Sequence, residues 1–158
     1  MGIVKIPLMS KEEYDEFISE NFMSRIAFSG EYPYIAPFIY VFDGEHLYFL
    51  STKYGRKIEL LKNNPYVAVE IEEFEPDLSS YKFVTLQGQI VEVTDQDEKN
   101  RVRGMFADMI KEKGLSRKVL KALGHSPEDP LACLVKMERS YVWKLVDVVD
   151  ITGIKSGE

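Results

Sequence analysis

The run Tyr48-Phe49-Leu50-Ser51-Thr52-Lys53-Tyr54-Gly55-Arg56-Lys57-Ile58 decides how this chain is read. An apolar extended segment ends in two hydroxyls, and a helix then begins on a glycine followed by two cations. A helix N-terminus carries about half a positive charge, so Arg56 and Lys57 in the first turn cost a few tenths of a kcal/mol unless an anion sits there. A phosphate removes the conflict. Free N–H groups around Gly55, the Ser51 and Thr52 hydroxyls and two cationic side chains are the donors that a phosphate monoester accepts. A solvated basic turn with a Ser/Thr cap fits the same local pattern, and the run alone leaves both readings open.

Upstream lies Tyr32-Pro33-Tyr34-Ile35-Ala36-Pro37-Phe38-Ile39-Tyr40-Val41-Phe42, apolar on both faces and containing two prolines. Strand alternation puts Tyr34, Phe38 and Tyr40 on one face, while the prolines break the ladder and free neighbouring backbone groups for a planar, polar-edged partner. One face is core, and the other calls for a ring system or a second subunit. A strand covered on both sides, with an edge proline, is the alternative.

Around these two runs the chain is punctuated clearly. Ser10–Asn21 reads as a helix with Tyr14, Phe17 and Ile18 at helical spacing and a Ser10/Glu13 capping box. Extended runs follow at Arg25–Ser29, Tyr34–Phe42 and His46–Ser51, with Asp43-Gly44 as a hairpin signal. A short helix over Gly55–Asn64 stops before Pro65, and a strand follows at Tyr66–Glu72. Phe74–Ser80 is a loop, and Tyr81–Val93 is a long strand with a bend or bulge at Gly88. Thr94 caps an amphipathic helix that places Val102, Met105, Phe106, Met109 and Ile110 on one face. A third helix over Ser116–Leu123 and strands at Leu131–Met137 and Tyr141–Val149 complete the order.

The 158 residues suit one domain, 1–158, and 45% apolar against 29% charged residues is enough to bury a core. A net charge of −6 argues against a nucleic-acid partner. Cys133 is the one cysteine, which excludes an internal disulfide and paired-Cys zinc sites and suits a small core residue. His46 and His125 lie beside turn residues without ligand spacing, so both are read as surface residues and no metal is expected. No run reaches the length of a signal peptide core or a membrane span, which points to the cytoplasm.

Taken in order, Arg25-Ile26-Ala27-Phe28, Pro33-Tyr34-Ile35-Ala36-Pro37, Asp43-Gly44 with Leu47-Tyr48-Phe49, Ser51-Thr52, Gly55-Arg56-Lys57-Ile58, Asn64-Pro65 and Val84 to Gly88 form a recognisable set. Between Ser24 and about Val93 the chain thereby resembles the pyridoxamine-phosphate-oxidase-like family of flavin-binding split barrels. The resemblance implies a mainly β fold, a six-stranded antiparallel split barrel with flanking helices, forming a homodimer with two FMN sites at the subunit interface. It assigns the phosphate to Thr52, Arg56 and Lys57 with Ser51 beside them, and lays the isoalloxazine ring along Pro37, Phe38, Ile39 and Tyr40. A C-terminal aromatic of the second subunit approaches the ring in this family. Trp143 is the candidate, although the alternation of Tyr141, Trp143 and Leu145 equally describes a core tryptophan.

Three departures restrict what the resemblance implies. The oxidase proper ends in Arg-x-His, whereas here the matching stretch is Val148-Val149-Asp150-Ile151-Thr152-Gly153, which speaks against vitamin oxidation. Members resembling nitroimidazole-resistance proteins carry a histidine before the serine, where this chain has Leu50. A glutamine that touches the flavin is replaced by Phe83, with Gln87 as the available substitute. No catalytic residue is therefore assigned. Because a flavin itself carries the electrons, the expectation remains an FMN-dependent oxidoreductase acting on a small organic molecule. The alternatives are a non-catalytic flavin or haem binding module, and a deazaflavin-dependent reductase whose longer coenzyme tail requires basic residues beyond Arg56 and Lys57.

Overall fold

Six strands that turn one face to a shared apolar interior build the central layer of the protein. A computed structural model describes residues 2–157. Six strands, β1 (Met23–Phe28), β2 (Tyr34–Phe42), β3 (Leu47–Thr52), β4 (Tyr66–Phe74), β5 (Tyr81–Glu92) and β6 (Ser140–Lys155), pair antiparallel and close as β1-β2-β3-β6-β5-β4. The helices are α1 (Lys11–Glu20), α2 (Arg56–Asn63), α3 (Gln96–Glu112), α4 (Val119–Ala122) and α5 (Cys133–Lys136). The expected six-stranded antiparallel barrel with flanking helices is the fold observed.

Local chemistry explains the corners. Ser10 and Glu13 form the expected reciprocal capping box on α1. At the β2–β3 hairpin Asp43 Oδ1 accepts from the N–H groups of Glu45 at 2.9 Å and His46 at 2.7 Å. Along the β5–β6 ladder the register shifts between Gln87 and Gln89, so Gly88 is indeed a bulge. Any Cβ at Gly88 would lie 2.8 Å from the Val146 carbonyl, which reserves the position for glycine.

Two apolar clusters share the barrel wall. Inside, Phe28, Phe38, Tyr40, Phe49 and Trp143 pack with aliphatic residues of every strand. The aromatic face of β2 is thus covered by the barrel's own interior, rather than by a ring system or second subunit as the sequence suggested. Outside, Ile39, Val41, Tyr48, Leu50 and Val142 meet Val102, Phe106 and Ile110 of α3, Leu120 and Leu123 around α4, and Leu134 of α5. Polar links fasten α3 over this cluster. The Tyr48 hydroxyl donates to Glu98 at 2.8 Å, Lys144 donates to the same carboxylate at 3.0 Å, and Arg101 donates to the Tyr48 oxygen at 3.2 Å.

Four expectations are corrected. Asp95, not Thr94, caps α3, its carboxylate accepting from Glu98 N–H. The third helix shrinks to α4. The strand over Leu131–Met137 is instead the helical turn α5, because a short apolar run fits either structure and here one residue, Leu134, is buried against the α3 side. His125 is not a surface residue. Its side chain is 1% exposed, both ring nitrogens lack hydrogen-bond partners, and the nearest carboxylate oxygen, on Asp129, is 3.8 Å from Nδ1. Burial first, and then the charge of Arg139, pushes the imidazole pKa below its ordinary value.

A neutral buried histidine binds fewer protons folded than unfolded, so it makes stability fall as pH drops below the unfolded imidazole value of about 6.5. The melting temperature should decline between pH 7 and pH 5, and His125→Leu should flatten that part of the profile; an unchanged slope would refute the assignment. Trp143 makes an edge contact with Phe28 at a 6.1 Å centroid distance and lies 5.7 Å from Phe38. Truncation to Ala should therefore cost about 3–5 kcal/mol in urea unfolding.

Candidate functional site

The ladder between β2 and β3 is short: Tyr40, Val41 and Phe42 pair with Phe49, Tyr48 and Leu47. Residues Tyr34 to Ile39 pair with β1 alone, so the barrel is split along this edge. The Tyr40 N–H donates to the Phe22 carbonyl, on the β1 side, at 2.9 Å. Strand alternation then turns the main-chain groups of Ile35, Pro37 and Ile39 toward the open edge. Pro37, which has no N–H to leave unpaired, is suited to that place.

A cleft of about 480 Å³ occupies the split. Its walls come from Ala36 to Ile39 of β2, from Thr52, Gly55, Arg56 and Lys57 at the β3–α2 turn, and from α4 and the following Leu123. The turn is preorganised. Lys57 Nζ donates to Thr52 Oγ1 at 2.9 Å and to the Tyr54 carbonyl at 3.0 Å. Arg56 lies over the Tyr34 ring at 5.7 Å. Gly55 precedes α2 with φ +109° and ψ 173° and gives it no side-chain cap, leaving the first-turn N–H groups without that acceptor. None of the residues lining the cleft is acidic, although the chain carries 26 carboxylate residues. Burial also pushes the Lys57 ammonium pKa below its ordinary value, the state of a cation short of counter-charge. Thr52, Gly55, Arg56 and Lys57 thus make a donor set that fits a phosphate.

The cleft gathers Pro37, Phe38, Ile39, Thr52, Arg56 and Lys57. The other candidates lie elsewhere. Ser51 is fully buried, and its hydroxyl donates to the Thr52 carbonyl at 2.8 Å. Tyr40 points into the barrel and donates to the Ile18 carbonyl at 2.7 Å. Trp143 is inside the barrel of its own chain. Gln87 lines a separate cleft of about 490 Å³ with Gly88, Tyr66 and Val149. The sequence reading missed α4 as a wall of the site. A helix over Ser116–Leu123 was expected there, but a wall made by residues distant along the chain leaves no local pattern.

The family model described as pyridoxamine 5'-phosphate oxidase matches residues 10–132. The chain belongs to this family. An uncharacterized protein of Rhizobium meliloti (strain 1021) is 32% identical over 89 residues, a match that covers 56% of this chain and 58% of that protein. The chain therefore aligns with little more than half of that relative. Among solved structures, an FAD-binding protein from Mesorhizobium loti superposes with TM-score 0.69 at 20% identity, covering 96% of this chain and 99% of the other. The haem storage protein HutZ from Vibrio cholerae superposes with TM-score 0.62 at 17% identity, covering 92% and 94%. At these identities the structural likeness shows the fold alone.

Only glycine occupies the backbone region of Gly55 without strain, so Gly55→Ala should lose about 1–3 kcal/mol in chemical denaturation. A full-stability Ala variant would contradict the turn geometry.

Proposed function

We propose that the cleft binds FMN by its phosphate and that the protein is a flavin-dependent oxidoreductase acting on a small organic molecule. The observation that carries this reading is the half-buried Lys57, bonded to Thr52 beside an uncapped helix start in a cleft free of carboxylates. Arg56 and Lys57 would hold the phosphate, and the free main-chain edge at Pro37 and Ile39 would meet the polar edge of the ring. Leu50, Val119 and Leu123 would keep water from it. The flavin, once bound, would supply electron and hydride transfer, which needs no acid–base side chain from this chain.

Family membership and the FAD-binding neighbour support a flavin. A haem would find no His or Cys in the lining of the cleft, and only Met23, Tyr34 and Tyr54 there could ligate its iron. The same reading makes the protein a single-domain cytoplasmic homodimer with a site at each edge of the interface. Exposed apolar residues on and around the barrel, among them Met23, Ile35, Tyr66 and Val149, support a second subunit. Among the described residues no helix is long and apolar enough to cross a membrane.

Purified protein should be yellow with a flavin absorbance spectrum. Each charge-assisted hydrogen bond lost in Arg56→Ala/Lys57→Ala is worth about 1.5–3 kcal/mol, so FMN affinity should fall at least ~100-fold in a fluorescence titration. Unchanged affinity would overturn the phosphate assignment.

A further inference from the structure

A further cavity, of about 400 Å³, lies between α2 and the paired ends of β5 and β6, and it shares no lining residue with the cleft at the β3–α2 turn. Its floor is the barrel core. Trp143 and Ile90 are 2% and 3% exposed and belong to the interior cluster, yet both line this cavity. Ile58 and Leu61 of α2 and Tyr141 of β6, each half-buried, complete an apolar wall. The volume falls within the roughly 300–1,000 Å³ of small-molecule sites.

The two remaining lining residues are charged, and each stands where the pattern calls for an apolar side chain. On β5 the inward row runs through Val84, Leu86 and Ile90, and the next place in it is Glu92, paired across the ladder with Trp143. On α2 Ile58 is followed one turn later by Leu61 and Lys62, which share its face. Each wall thus ends its apolar row in one charge, and the two charges are opposite. Lys62 and Glu92 are both exposed, and neither forms a salt bridge among the described residues, with the other or with any third group. A purely apolar ligand would leave both charges unused. A ligand with an aromatic body and one group of each sign meets the floor and both rims, because Trp143 and Tyr141 favour ring contacts and each rim charge favours a charge-assisted hydrogen bond.

We infer that this cavity binds an α-amino acid with an aromatic side chain. Its carboxylate pairs with the Lys62 ammonium, its ammonium with the Glu92 carboxylate, and its ring packs on Trp143. The inference does not rest on the flavin reading, and protein with or without a flavin tests it equally.

Trp143 is the one tryptophan of the chain and lines the cavity, so its emission reports occupancy directly. Titration of the purified protein with L-phenylalanine, followed by that emission and in parallel by calorimetry, should saturate below about 10 mM. Phenethylamine and 3-phenylpropionate each keep one of the two charges. They should bind about tenfold or more weakly, as the loss of one charge-assisted contact requires. Lys62→Gln and Glu92→Gln should each weaken L-phenylalanine by a similar factor. The exchange Lys62→Glu/Glu92→Lys should recover most of the affinity, a rescue that a purely structural role for either residue would not give. Absence of saturable L-phenylalanine binding, equal binding of the three probes, or an affinity that survives both Gln variants would overturn the inference.

Discussion

The candidate site depends on a hydrogen-bond ladder that stops early. Pairing between β2 and β3 ends at Tyr40 and Phe49, and the remaining backbone of β2 has a neighbour on one side only. An unpaired strand edge in water is a hazard, since it invites pairing with another chain. Here the hazard is reduced by Pro37, which removes one donor, and by the walls that rise on either side of the edge. The polar groups that a closed sheet would consume thereby stay free along this edge.

The outer helices make that opening durable. A barrel alone would leave Ile39, Val41, Tyr48, Leu50 and Val142 facing solvent, and α3, α4 and α5 cover them. Tyr48 ties the two layers chemically as well as sterically, because its hydroxyl shares a network with Glu98, Arg101 and Lys144. The hydrogen bonds from Tyr48 and Lys144 hold the Glu98 carboxylate below its usual pKa, so the network remains charged at neutral pH. Arg103 adds a second tie, with its side chain 1% exposed and one guanidinium N–H donating to the Ser140 carbonyl at 2.7 Å. The layer that walls the site is therefore a built part of the fold.

Much of this was legible in the sequence wherever the signal was local. The Ser10 cap, the Asp43-Gly44 hairpin, the span of β2 and the Gly88 bulge each follow from a few neighbouring residues, and the structure has them. The basic turn at Gly55-Arg56-Lys57 was legible for the same reason, as cations at a helix start are an electrostatic conflict visible in four letters. What failed was long-range. Cys133–Lys136 is helical because of what Leu134 packs against, and His125 is buried with Arg103 and Arg139, distant in sequence, among the charges near it. Tyr40, laid along the ring by the family resemblance, points into the barrel, and Trp143 takes the core place that its alternation with Tyr141 and Leu145 equally described, because interior and exterior faces of a curved strand cannot be told apart by alternation alone.

The placement of β6 bears on how the chain reaches this state. It is the last strand in sequence order among the described elements, yet it is the one that joins β3 to β5. During synthesis β1 to β3 and the β4–β5 pair can assemble from near neighbours, but the ring stays open until β6 has emerged. Until then two sheet edges and the apolar lining of the barrel face the cell. Late closure by a distant strand makes folding slow and leaves the nascent chain open to aggregation or chaperone capture, however stable the finished barrel.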